Sequence, residues 1–197
     1  MPALSVSVDG KHIATVCTDG LDSLSVDARG TLVDEEMSNL DVSGGNYPSG
    51  SDAMHLTWVT GVQLRAGQVV TVSLLESAAS TLKGKTIDEM FPDEPQSAQT
   101  DFKPTARMYA EMRARPKFRE KYGFQLESSL GTKFVGETEP GVHGFGFSVH
   151  WNSFHPERAR VSLHSYSLES LEVRGPMNKH VEERIYYGDS VRFQFVA

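Results

Sequence analysis

The chain has 197 residues, of which 39% are hydrophobic and 23% are charged, proportions typical of an ordinary globular protein with one or two domains. Its formal net charge of -7 disfavours binding of nucleic acid or of an anionic membrane by the surface as a whole. The chain has a single cysteine, no leader-like start and no apolar run long enough to span a membrane. These features predict a cytoplasmic protein without a membrane-spanning segment.

Alternating apolar residues predict β-strands in the first part of the chain. Leu4, Val6 and Val8 alternate with serines, and an Asp-Gly turn leads into a second apolar run. The alternation resumes several times further on, and the Gly-, Ser- and Asn-rich residues 43–52 indicate a loop between two strands. We therefore predict a first β-lobe over residues 1–77.

The middle of the chain, residues 78–121, has a different composition and predicts a linker. Its first part contains several prolines and small polar residues. Pro104 then begins a predicted helix over residues 104–115, because proline at the first helical position costs no hydrogen bond. Pro116 ends this helix.

A second β-lobe is predicted over residues 122–197, and it matches the first at an offset of 121 positions. The shift aligns residues 67–74 with residues 188–195, and it aligns turn glycines and apolar strand positions while surface residues differ. The predicted fold is mainly β, with two similar antiparallel, sandwich- or barrel-like lobes that arose by internal duplication. In the last strand of each lobe, alternation predicts six inward side chains: Val70, Val72, Leu74, Val191, Phe193 and Phe195.

No motif in the chain predicts a catalytic residue, a metal ligand or a cofactor. The sequence from Gly146 to His150 approaches the nucleophile elbow of serine hydrolases but lacks its final glycine, and its alternation indicates a plain strand. Four histidines, His143, His150, His155 and His164, lie close in sequence without the spacing of a metal site. A metal site, an exposed binding loop and ordinary surface histidines remain the possible interpretations.

Clustered carboxylates suggest a surface that binds a protein. Asp34, Glu35 and Glu36 lie in one predicted loop, and Asp93 and Glu94 lie in the linker. Such clusters are often only solvated, but they can also dock a partner that carries a basic patch. The aromatic tract that contains Trp151, Phe154 and His155 is the second predicted binding surface.

The sequence as a whole favours a non-catalytic protein-binding module. In its most specific form this is an immunity or inhibitor protein that masks a toxin or effector. One alternative is an enzyme or small-ligand binder with a site between the two lobes. The other is a structural or assembly component, and the sequence leaves the oligomeric state open.

Overall fold

The computed structural model describes residues 1–48, 53–93 and 104–196. Within these residues the chain forms twelve β-strands and three short helices. The first half contains β1 (Ala3–Val8), β2 (Lys11–Cys17), β3 (Ser23–Thr31), β4 (Ser38–Asn46), β5 (Met54–Leu64) and β6 (Val69–Leu75). The second contains β7 (Gly123–Ser128), β8 (Lys133–Glu137), β9 (Gly144–Asn152), β10 (Arg158–Tyr166), β11 (Asn178–Tyr186) and β12 (Ser190–Val196). The helices are α1 (Ile87–Met90), α2 (Ala106–Ala114) and α3 (Leu168–Glu172).

The strands form two six-stranded antiparallel sheets, so the chain is mainly β as predicted. Sheet I has the order β2-β1-β6-β12-β7-β8, and sheet II has the order β11-β10-β9-β3-β4-β5. Each half of the chain supplies three neighbouring strands to each sheet. The halves join where β6 pairs with β12 in sheet I and where β3 pairs with β9 in sheet II.

Two of the six pairs of equivalent strands begin at the offset of 121 residues, and the other four pairs begin 120 to 124 residues apart. Strand β3 begins at Ser23 and β9 at Gly144, while β6 begins at Val69 and β12 at Ser190. Both pairs of strands are therefore 121 residues apart, and they occupy equivalent places in the two halves of each sheet. An origin of the two halves by gene duplication remains a prediction.

The inner faces of the two sheets pack against each other around one hydrophobic core. Phe147 of β9 in sheet II stacks on Phe193 of β12 in sheet I, with ring centroids 4.5 Å apart. All six side chains predicted to face inward from β6 and β12 are buried, and the residues between them are partly or fully exposed. The predicted alternation of these two strands is therefore confirmed.

One predicted loop is wrong in its first part. Residues 43–46 belong to β4, in spite of their glycines, because they pair with β3 on one side and β5 on the other. A Cβ atom at Gly44 would lie 2.3 Å from the Ser23 carbonyl oxygen, and one at Gly45 would lie 2.2 Å from that of Met54. Close approach of neighbouring backbones, rather than a turn, explains these glycines. Residues 49–52 of the predicted loop lie outside the described residues.

The linker crosses from one sheet to the other along the edge of the first half. Thr81 exchanges hydrogen bonds with Thr15 of β2, since its Oγ1 accepts from the Thr15 N–H at 2.9 Å and its own N–H donates to the Thr15 carbonyl at 2.9 Å. Lys85 then forms an isolated bridge with Thr57 of β5. Helix α2 lies within the predicted range 104–115, but Pro104 is not its first residue, because Thr105 is the N-cap and the helix begins at Ala106. No helix of the described residues is long and apolar enough to cross a membrane.

Candidate functional site

Three adjacent strands of sheet II carry a row of basic side chains across the outer face of the sheet. Arg184 of β11 lies opposite Arg160 of β10, which in turn lies opposite His150 of β9. Both arginines are exposed and His150 is half-buried, whereas the next residues along β9 and β10, Val149 and Val161, are buried. Alternation therefore places all three basic side chains on the outer face of the sheet.

The two arginines of this row face each other, and after Lys179 their positive charges help to lower the pKa of nearby Glu182. Directly opposed residues have Cβ atoms about 5 Å apart, and like charges at that separation are destabilising. In the part of the chain that the structure describes, neither Arg160 nor Arg184 forms an ion pair. Glu182 of the same strand β11 binds Lys179 instead, with Nζ 2.5 Å from Oε2. A bound anion would relieve this repulsion.

These basic residues line an open cleft of about 440 Å³. The cleft, called the arginine cleft below, is lined by His150, Asn152, His155, Arg158, Arg160 and Arg184. Among the described residues, the buried Oδ1 atom of Asn152 has no hydrogen-bond partner. Among the residues described, Arg158 is the arginine of the cleft that forms an ion pair, with its Nε atom 3.8 Å from Glu157 Oε1. Cationic groups therefore outnumber carboxylates here.

His150 contributes hydrogen-bonding capacity to the arginine cleft rather than charge. Its Nδ1 atom lies 2.7 Å from Ser25 Oγ of the neighbouring strand β3. Burial lowers the pKa of His150, and the positive charge of Arg160 lowers it further, while Asp27 acts in the opposite direction. The imidazole is therefore neutral at neutral pH, and the positive charge of the cleft comes from its arginines.

The turn between β9 and β10 forms a rim of the cleft and carries the aromatic tract predicted to bind a partner. Trp151 is only 3% exposed, and its indole N–H donates to the Pro156 carbonyl at 2.9 Å. The Tyr187 hydroxyl donates to the same carbonyl at 2.9 Å. Phe154, in contrast, is 87% exposed, and His155 is also exposed. Trp151 thus stabilises the turn through its buried ring and its hydrogen bond, whereas Phe154 and His155 are exposed to solvent.

The predicted acidic surface divides into parts with different surroundings. In the loop between β3 and β4, Asp34 Oδ2 accepts from Thr31 Oγ1 at 2.7 Å, and Glu36 Oε1 accepts from Gln63 Nε2 at 3.0 Å. Glu35 is exposed, while its backbone carbonyl accepts from Arg119 Nη2 at 2.7 Å. The fold therefore uses two of the three carboxylates as local acceptors, and Glu35 is the one presented to solvent.

The second acidic pair lies away from this loop in the chain. Asp93 is exposed just after α1, and Glu94 lies outside the described residues. No hydrogen bond or ion pair among the described residues joins Asp93 to the loop that carries Asp34. The docking of a basic partner on a combined acidic surface remains a prediction.

The basic residues near the end of the linker, within residues 113–121, form contacts that stabilise the fold. Arg113 pairs with Glu172 of α3, and Lys121 Nζ lies 2.6 Å from Glu137 Oε2. Arg119 donates to the Thr31 carbonyl at 2.9 Å and to the Tyr122 hydroxyl at 3.0 Å. These cations tie the linker to the loops and edge strands around it.

The four clustered histidines do not converge. His150 and His164 face outward on neighbouring strands, but His150 lies opposite Arg160 and His164 lies opposite Gly146. His143 is buried, and His155 is exposed on the turn after β9. Within residues 1–48, 53–93 and 104–196, no three His, Cys, Asp or Glu side chains lie close enough together to hold a metal ion.

The sequence predicted a binding role for Phe154 and His155, which stays a prediction, and it did not indicate the arginines beside them. Arg158 and Arg160 alternate with buried Ala159 and Val161, and Arg184 precedes buried Ile185. The alternation shows that these arginines point outward. Their proximity depends on the pairing of β10 with β11, which local sequence does not specify.

Comparison with known proteins identifies no relative of this chain. No family model, no curated protein and no solved structure matches it. The functional argument therefore rests on the geometry of the arginine cleft.

Proposed function

We propose that this protein is a non-catalytic binding module that holds an acidic segment of a partner protein in the arginine cleft. The observation that carries the proposal is the opposed pair Arg160 and Arg184, neither of which forms an ion pair among the described residues, while the nearby Glu182 binds Lys179. Masking of a toxin or effector, as by an immunity or inhibitor protein, is a role that such a surface can perform.

The position of the cationic groups within an acidic protein supports this proposal. The chain carries a net charge of -7, yet three arginines line one cleft on the outer face of sheet II. A local patch whose sign opposes that of the whole molecule orients an acidic partner, while the remaining surface repels it. Recognition is thereby confined to the cleft.

The composition of the cleft and its rim also supports a protein ligand. Arginine, tyrosine and other aromatic residues supply most of the binding free energy at protein interfaces. Here Tyr186 lies opposite Arg158 and is 46% exposed, and Phe154 projects from the adjoining turn. The cleft is open, so it can receive a side chain or a peptide segment from a flat partner surface.

Among the described residues, no carboxylate hydrogen-bonds to the Ser25–His150 pair beside the cleft. A serine nucleophile needs a histidine base that a carboxylate or similar group orients. Asp27, the acidic neighbour of Ser25 on β3, forms an ion pair with Arg29 at 3.2 Å. Ser25 also lies in the middle of a strand, paired with both β4 and β9. This pair is better explained as a cross-strand hydrogen bond.

The proposal can be tested by titrating the protein with a short oligo-glutamate peptide at low salt. We expect binding that weakens as salt rises, because the Debye length falls from about 10 Å at 0.1 M to about 3 Å at 1 M. Arg160→Gln/Arg184→Gln should weaken the binding by about tenfold or more. The melting temperature of this variant should not fall, because the substitutions remove a repulsion.

Two controls separate this proposal from general charge effects. Arg65→Gln/Arg192→Gln removes two exposed arginines outside the cleft and should leave the affinity almost unchanged. An oligo-lysine peptide, tested with wild type and with Glu35→Lys/Glu36→Lys, probes the acidic loop instead. If oligo-glutamate fails to bind, or binds both double arginine variants equally, the arginine cleft is not the binding site. Binding of oligo-lysine that the acidic-loop variant abolishes would favour a basic partner.

A further inference from the structure

The edge of sheet I in the second half of the chain has unused backbone hydrogen-bonding groups. Strand β8 pairs with β7 alone among the described residues. Hydrogen-bonded pairs alternate along an antiparallel ladder, and here the Ser128 N–H bonds to the Thr132 carbonyl and the Thr138 N–H bonds to the Tyr122 carbonyl. The even-numbered residues of β8 therefore bond to β7.

The odd-numbered residues of β8 must then point their backbone groups away from the sheet. These residues are Lys133, Val135 and Glu137. The neighbouring ladder agrees, because the N–H of odd-numbered Ser129 bonds to Ser190, the residue at which β12 begins. Within the described residues, three N–H and three C=O groups therefore form a free edge at which another strand can add.

The same three residues form a sequence that complements itself. If a second β8 strand lies antiparallel with its Val135 opposite Val135 of the first, each Lys133 faces Glu137 of the other copy. This register makes hydrogen-bonded pairs of the odd-numbered residues, which are the ones with free backbone groups. A two-fold axis through the Val135 pair then relates the two copies.

The side chains at this edge are accessible to such a second copy. Val135 is 75% exposed, and the side chains of Lys133 and Glu137 are 76% and 62% exposed. Within the chain, Lys133 Nζ lies 3.7 Å from Glu127 Oε1, and Lys121 Nζ lies 2.6 Å from Glu137 Oε2. Such exposed ion pairs contribute little to stability, so they can extend into a network with the second copy.

We propose that this protein self-associates through β8, which joins two copies of sheet I into one continuous sheet. Charged edge residues usually prevent strand addition, but a lysine and a glutamate placed symmetrically about Val135 attract their counterparts in this register. An edge of five residues buries little area, so the dimer is transient and depends on protein concentration.

Sedimentation velocity across a range of protein concentrations tests this proposal directly. We expect wild type to show a concentration-dependent monomer–dimer equilibrium. Lys133→Glu should raise the dissociation constant by about tenfold or more, because it places two glutamates opposite each other twice in the dimer. Lys133→Glu/Glu137→Lys reverses both charges and should restore the dimer, since each pair regains opposite signs.

A matched control and a second readout fix the location of the contact. Lys11→Glu makes the same charge change on the exposed start of β2 and should leave the equilibrium unchanged. Hydrogen exchange should slow with concentration at the amides of Lys133, Val135 and Glu137, and it should be independent of concentration at Phe134. Val135→Lys should abolish both effects, because it opposes two lysines at the centre of the pair.

Three results would overturn the proposal. If the protein is a monomer at every concentration, β8 does not mediate self-association, and its edge is then available to a strand of another protein. A dimer that Lys133→Glu does not weaken, or that the double charge swap does not restore, has a different interface. Circular dichroism of each variant checks that the fold is retained, and the double swap carries the same local changes as the single variant.

Discussion

The two halves of the sandwich differ most at their outer edges. In the first half, Thr81 bonds to edge strand β2 and Lys85 bonds to edge strand β5, so the linker lies along both edges. In the second half, edge strands β8 and β11 each pair on one side only within the described residues. The two halves thus have similar strand orders, but the linker contacts the outer edge strands of the first half, and no described segment pairs with those of the second half.

This difference shows how one connection can change the interactions available to similar halves. An exposed edge strand is a template for further pairing, and proteins often cover such strands with a loop or helix. The linker hydrogen-bonds to β2 and β5, whereas no described segment pairs with the outer edge of β8. The arginine cleft also lies toward the open side, on strands β9, β10 and β11. Both proposed interactions therefore belong to the second half.

The halves also differ in the residues that fill their cores. The second half supplies five buried phenylalanines, and the first half supplies none among its described residues. At equivalent positions of the last strands, Phe193 corresponds to Val72, and both are fully buried. The phenylalanines form a connected group of ring contacts that includes Phe193 with Phe147 and Phe195. We therefore expect unequal contributions to stability from equivalent positions.

The largest expected effect comes from truncating Phe193. Phe193→Ala should lower the free energy of unfolding by about 3–5 kcal/mol, the usual range for a buried phenylalanine. Val72→Ala, the matched change in the first half, should cost about 2 kcal/mol because it removes two methyl groups. Urea denaturation monitored by circular dichroism measures both. A Phe193→Ala protein that melts within about a degree of wild type would contradict its burial.

A smaller effect is expected where the linker covers β2. Thr81→Ala removes the acceptor of the Thr15 N–H and should cost about 1 kcal/mol, the usual contribution of one hydrogen bond. Hydrogen exchange at the Thr15 amide should become faster. Thr60→Ala, an exposed site on β5, is the control and should change stability by no more than about 0.5 kcal/mol. Unchanged exchange at Thr15 would show that the linker does not protect this edge.

The smallest expected effect is a pH dependence that arises in the second half. Burial lowers the pKa of His143, His150, His164 and His180, and all four lie after residue 122. Because the unfolded chain then binds more protons than the folded one, stability should fall as pH drops below the ordinary histidine pKa of about 6.5. The midpoint of urea unfolding at several pH values measures this dependence.

A single substitution can assign part of this pH dependence. His164 packs against Gly146, where an added Cβ atom would lie 2.7 Å from the imidazole ring. His164→Gln should make the loss of stability at acidic pH smaller, since one buried titrating group is removed. His155→Gln, at an exposed position, is the comparison. If both variants follow the same profile as wild type, His164 does not contribute.

Much of the local structure follows from the sequence. Period-two alternation gives the inward faces of β6 and β12, and the glycines at positions 10, 67, 131 and 188 occupy turns with positive φ that other residues rarely adopt. A helix in this part of the linker is also predicted, but it begins at Ala106 rather than at Pro104, because Thr105 caps α2 by accepting from the Met108 N–H. These features depend on neighbours along the chain.

Only the tertiary structure decided which strands meet. Residues 43–46 have the composition of a loop, but two neighbouring strands hold them in β4. Arg160 and Arg184 become neighbours because β10 pairs with β11, and within the described residues β8 pairs with β7 alone. Alternation along a strand determines which face of the sheet each side chain occupies. Strand pairing depends instead on contacts between distant segments, and no local sequence pattern encodes those contacts.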